Sequence, residues 1–276
     1  MTGPTPNVSI TRLINDKGAL CLDGTAPAYY LDQGEGDGIN SWVIFLEGGG
    51  WCSTVEECVS RSTQDLGSSK FLKENVTFAN ILSKDSKTNP DFYNWNRVYI
   101  HYCDGSSYTG DVCTVNPGSG KMLPSSCTDK FNKPSLCFFP QYIVPNIKTP
   151  LFITMSSFDE IQAKFNLSPE HEVCLVYQNC TLVEANEIEA LRLEFLDTLP
   201  RGNPSLRGIW VTSCITHDLI ELGWIAPKSN TINGNKAYPE VFGNWFYDRL
   251  AIDIIDTCNI SKNCTDSGIQ MLPIRQ

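Results

Sequence analysis

Residues 42–52 read WVIFLEGGGWC, an apolar run stopped by one acid and three glycines. The run is short and rich in β-branched and aromatic side chains, which is the pattern of a strand buried on both faces, as in a parallel sheet. Glycine has no Cβ and tolerates positive φ, so the chain can turn sharply there and bring its backbone close to another group. A glycine loop leaving a buried strand can aim several N–H groups at one point. That geometry suits a phosphate or the oxyanion of an acyl-transfer intermediate. A tight turn with no ligand is the competing reading of the same residues.

Other segments extend this into a layered architecture. Residues 96–102, 150–155 and 208–212 read as strands, and 184–199 has helical periodicity with Ile188, Leu191, Phe195 and Leu199 on one side. Residues 19–30 suggest strand, turn and strand, 54–95 a mixture of helices and loops, 106–124 a loop, and 241–255 a closing helix. Buried strands separated by helical stretches predict an α/β fold with a mostly parallel sheet flanked by helices. Parallel neighbours need a crossover, usually helical. Between Ile100 and Leu151 no crossover helix is legible, and so long a structureless connection counts against an intact architecture.

Composition narrows the partners. The chain has 276 residues, 41% hydrophobic and 19% charged, which is globular. Its net charge of −10, with scattered Lys and Arg, argues against nucleic acid and anionic membranes as partners. No apolar run approaches the length of a membrane-spanning helix. Twelve cysteines, an even and high count, point to disulfides in an oxidising compartment. Sequons beginning at Asn7, Asn75, Asn166, Asn179, Asn259 and Asn263 point the same way. The first residues, MTGPTPNVSITRL, lack a signal-peptide pattern, so the expectation is a leader removed from the sequence or a shortened form. Zinc is not expected, because there is no C-x-x-C pair and Cys214-x-x-His217 has no second pair beside it. No cofactor is expected.

Several segments together are similar to one family. CLDGTAPAYY, FLEGGGWC, YCDGSSYTGD, CFFPQY, KTPLFI, VTSCITH and GNWFYDR resemble, in order, the plant pectin acetylesterases, whose wider family includes the animal carboxylesterase Notum. The resemblance covers about residues 10–258, with 259–276 as a C-terminal tail. It implies one secreted, extracellular cell-wall domain with an α/β-hydrolase fold, acting as a monomer on acetyl esters of pectin or a related polysaccharide. The GGG run then corresponds to the HGGG-type oxyanion loop of esterases, with Gly49 and Gly50 as donors. The family acid falls on Asp159 and the family histidine on His217. Trp51 lines the substrate site or is a core aromatic, and Cys52 pins the loop by a disulfide to Cys58 or to a more distant cysteine.

The nucleophile is missing. No G-x-S-x-G occurs in the chain, and the nearest decoys, beginning at Gly105 and Gly67, lack the closing glycine. Set against the family, roughly a hundred residues are absent near 117–118, enough for the nucleophile elbow and neighbouring central strands. Asp218 also stands where plant members usually carry cysteine. The expectation is therefore a chain inactive in its family's reaction, the alternative being a non-catalytic glycan-binding relative or a truncated isoform without function. Taken alone, Asp159 could equally be a helix cap and His217 a structural histidine, and His101 is a second candidate base.

Overall fold

The computed structural model describes residues 8–14, 18–108, 123–200, 202, 206–220, 224 and 237–256. They fall into two compact units that part between residues 119 and 120.

The first unit is built on a five-stranded mixed sheet. Its strands are β1 (Val8–Arg12), β2 (Ala28–Asp32), β3 (Trp42–Leu46), β4 (Asn75–Val76) and β5 (Asn96–Ile100), in the order β3-β5-β2-β1-β4. Only β3 and β5 run parallel, and the other three pairings are antiparallel. One face is packed by Val8, Tyr30, Val76, Leu82 and Tyr99, with Ile10, Val43 and Phe45 against them. Phe45 stacks on Tyr99 with ring centroids 5.5 Å apart. Cross-strand register also places Arg97 opposite Asp32, and the buried guanidinium donates to that carboxylate at 2.8 Å.

The apolar run at 42–46 is a strand, but it is not buried on both faces. Trp42, Ile44 and Leu46 are 53%, 59% and 56% exposed. β3 lies at the end of the sheet, with β5 its one partner among the described residues, so its outer side chains have no covering layer. After β3 comes α1 (Val55–Arg61), opened by a capping box in which Thr54 and Glu57 satisfy each other's backbone N–H groups.

The second unit holds a three-stranded parallel sheet, β6 (Leu151–Phe158), β7 (Arg207–Ile215) and β8 (Asp253–Ile255), in the order β6-β7-β8. Two one-turn helices, α2 (Ser125–Thr128) and α3 (Pro140–Ile143), precede it. Among the described residues no long crossover helix lies between β5 and β6; residues 109–122 of that connection lie outside them. The β6-to-β7 connection is helical: α4 (Glu160–Asn166), α5 (Pro169–Tyr177) and α6 (Leu182–Thr198). Ile188 of α6 packs with Phe158, Ala163, Cys174 and Leu175, while Phe195 and Leu196 pack against Leu199, Ile209 and Val211. The expected helix over 241–255 divides in two. Helix α7 (Tyr238–Phe246) stops where Asp248 takes positive φ, and the β-branched residues Ile254 and Ile255 continue as β8 beside β7. The tail from residue 259 lies outside the described residues.

Candidate active site

In the first unit, the loop after β3 is held from several sides. The Glu47 carboxylate accepts from the Tyr102 amide at 3.0 Å and meets His101 Nδ1 at 2.6 Å. Arg61, at the end of α1, donates from Nη1 to the carbonyls of Gly49 at 2.6 Å and Gly50 at 3.0 Å. The Tyr102 hydroxyl donates to the Gly50 carbonyl at 2.5 Å. Gly49 also packs so closely on the Tyr102 ring that a Cβ there would lie 2.2 Å from Cδ1, and Gly50 has φ +65. A disulfide joins Cys52 to Cys58 of α1, the nearer of the two partners considered for Cys52. The arrangement is one-sided. The carbonyls of Gly49 and Gly50 are bound by a cation and a phenol, while their N–H groups have no acceptor among the described residues.

Further disulfides join Cys21 to Cys103, Cys127 to Cys137 and Cys174 to Cys180. The first of these anchors the segment that carries Tyr102. Trp51 is not a core aromatic. It is 48% exposed, and its Nε1 donates to Ser107 Oγ at 2.6 Å. His101 is removed as a base by its own contacts. It is buried, Nδ1 meets Glu47, and Nε2 donates to the Asp65 carbonyl at 2.9 Å, so neither nitrogen is left for a substrate.

In the second unit, adjacent parallel strands deliver the other two predicted residues. Phe158 of β6 pairs with Ile215 of β7, and the chain reaches Asp159 one residue later and His217 two residues later. The two meet: Asp159 Oδ2 lies 2.8 Å from His217 Nδ1. The alternative reading of Asp159 as a helix cap is also true. Its other oxygen, Oδ1, accepts from the amides of Ile161 and Gln162 at 2.9 Å and so caps α4. One oxygen fixes the carboxylate to the helix start and the other orients the imidazole. The Asp159 side chain is 2% exposed and that of His217 49%, so the carboxylate is hidden and the ring is half open. His217 Nε2 has no hydrogen-bond partner among the described residues. The Asp159 contact raises the His217 pKa above its ordinary value, burial opposes this, and the negative charges of Asp159, Asp218 and Glu160 add to the rise. Burial pushes the Glu160 carboxyl up.

A second constellation has triad-like connectivity. Ser168 Oγ lies 2.9 Å from His171 Nδ1, and His171 Nε2 lies 2.7 Å from Glu187. Here the serine is the N-cap residue of α5 and the His171 amide donates to its carbonyl, so the group ties a helix start to α6. Sequence reading missed Arg61 and the loop-holding role of Tyr102. Tyr102 stands inside a segment already singled out, whereas a lone arginine at the end of a short helix gives no local signal.

Comparison with known proteins fits these motifs. The family model described as pectinacetylesterase matches residues 4–122 and 112–267. Pectin acetylesterase 7 of Arabidopsis thaliana is 32% identical over 364 aligned residues, covering 94% of this chain and 92% of that protein. Pectin acetylesterase 11 of the same plant is 30% identical, covering 90% and 89%. The palmitoleoyl-protein carboxylesterase NOTUM of Schmidtea mediterranea is 37% identical over 103 residues, covering 37% of this chain and 20% of that protein. The crystal structure of the Wnt deacylase Notum from Drosophila superposes with a TM-score of 0.69 at 17% identity, covering 92% of this chain and 97% of that one. That likeness gives the fold, an α/β-hydrolase-like arrangement of sheets flanked by helices. The two-part family match and the full-length relatives together establish that the chain belongs to the pectinacetylesterase family of carboxylic ester hydrolases.

Proposed function

We propose that the reaction this architecture serves is hydrolysis of acetyl esters on pectin or a related cell-wall polysaccharide, and that this chain lacks the group that performs its first step. The observation that carries the reading is the Asp159–His217 contact, with Nε2 unpartnered among the described residues. In a serine esterase the acid holds the imidazole by Nδ1, so that Nε2 can take the proton of the attacking hydroxyl and return it to the leaving alcohol. The N–H groups of Gly49 and Gly50 are the donors for the negative oxygen of the tetrahedral intermediate. Trp51, half exposed beside that loop, is the lining residue. A secreted, cell-wall location is part of the proposal, supported by the four disulfides described.

The absent segment is part of the same proposal. The alignment to pectin acetylesterase 7 spans more positions than this chain has residues, 364 against 276. The family model matches in two pieces that meet at residues 112–122. Among the described residues, β3 in the first unit and β6 in the second each have a strand partner on one side only. These observations support a central strand-and-elbow segment in the complete family architecture that this chain does not have. Loss of the nucleophile alone costs a serine hydrolase on the order of 10⁶-fold in kcat. The test is acetate release from acetylated pectin by this chain and by a form carrying a relative's segment between Pro117 and Gly118. The expected result is release only by the second form, abolished there by His217→Ala. Release by the second form that survives both Asp159→Asn and His217→Ala would overturn the assignment of the relay.

A further inference from the structure

The open edge of β3 has the geometry to pair with itself. In the parallel pairing with β5, Asn96 donates to the Ser41 carbonyl at 2.9 Å and Glu47 donates to the Ile100 carbonyl at 3.1 Å. Main-chain groups alternate direction along a strand, so Ser41, Val43, Phe45 and Glu47 face β5. Those of Trp42, Ile44 and Leu46 face the open edge, and among the described residues no strand pairs with them. The side chains alternate in step. Val43 and Phe45 pack on the core, while Trp42, Ile44 and Leu46 project from the other face, each more than half exposed. The strand carries no charge, proline or glycine. None of these blunting features of exposed edges is present.

We propose that this edge is a self-association surface, and that its occupant is β3 of a second copy, running antiparallel about a two-fold axis through Ile44. Antiparallel strands exchange hydrogen bonds between directly opposed residues whose main-chain groups face each other. Centring the pair on Ile44 opposes Ile44 to Ile44, and Trp42 to Leu46 in both directions. All three edge-facing residues then meet edge-facing partners, and their side chains lie on the same exposed face. A symmetric parallel pair fails this test, because parallel neighbours oppose a facing residue to one that faces away, as Asn96 and Trp42 do here. Charge favours the same register. The flanking acid Glu47 comes opposite Ser41, so the net charge of −10 brings no like charges together along the strand. The surface is self-complementary, as a closed two-fold interface requires. The inference departs from the monomer expected from the sequence; it needs no esterase chemistry, but it shares the open β3 edge with the missing-segment reading.

Sedimentation velocity across a dilution series, with hydrogen exchange of residues 42–46 at each concentration, tests it. The expected result is a dimer that dissociates on dilution, with exchange in this segment slowing as concentration rises. Ile44→Lys, which opposes two ammonium groups at the axis, should return a monomer with fast exchange at 42–46 and unchanged exchange in β1 and β2. Ile44→Thr keeps strand propensity and should weaken the dimer about tenfold, so the surface can still be judged if the lysine variant fails to fold. A wild-type monomer throughout the series would overturn the proposal. So would association indifferent to both substitutions, or association without protection at 42–46.

Discussion

Asp159 does two jobs, and this makes its substitution discriminating. Asp159 caps α4 with one oxygen and holds His217 with the other. Asp159→Asn keeps the size and one acceptor but removes the charge that raises the imidazole pKa. His217 should then titrate lower, which a proton NMR titration of its ring would report. The sign of the stability effect follows from that raised value. The Asp159–His217 contact stabilises fully below the unfolded histidine pKa of about 6.5, and its contribution falls away as pH rises through the higher folded value. Denaturant midpoints measured on either side of that window should decline with pH in the wild type and flatten in the asparagine variant. The glycines allow a second comparison. A methyl at Gly49 meets the Tyr102 ring at 2.2 Å, whereas one at Gly48 meets nothing within 4 Å. Gly49→Ala should cost about 1–3 kcal/mol by overpacking. Gly48→Ala should stay within about 0.5 kcal/mol of wild type, both read from urea unfolding.

At the scale of elements, the periodic signals were the dependable ones. Strands at 42–46 and 96–100 and the long helix at 182–198 are where spacing and β-branched content put them. The burial expected on both faces of Trp42–Leu46 fails because an apolar run reports hydrophobicity and not neighbours, and among the described residues β3 has a strand neighbour on one side only. The single helix expected over 241–255 fails because its helix-compatible pattern conceals a stop at Asp248, whose positive φ no side-chain periodicity announces. Asp159 and His217 were legible only through motif resemblance. Their residue types are common, and their contact depends on strands more than fifty residues apart in sequence coming into register. The buried ion pair across β2 and β5 shows what such register carries. Arg97 is 1% exposed and Asp32 is its salt-bridge partner, so Asp32→Ala strands a buried guanidinium. That variant should lose about 3–5 kcal/mol, measured by equilibrium unfolding.

At the scale of the whole molecule, the proposed esterase reading rests on two groups of residues, one in each unit. Within the first unit, Arg61, Tyr102 and a disulfide hold a glycine loop in which the Gly49 and Gly50 carbonyls are occupied and their amides have no acceptor among the described residues. Within the second, two parallel strands carry an acid and a histidine to hydrogen-bond distance. The proposed reaction also requires a serine on an elbow, and no G-x-S-x-G stands anywhere in the sequence. The central claim is therefore a relay without a nucleophile. Incubation with a fluorophosphonate, which forms a stable adduct on activated serines of this hydrolase type, followed by intact-mass measurement, tests it without any assumption about substrate. The account predicts an unchanged mass. An adduct on any serine, Ser168 at the α5 cap included, would contradict it.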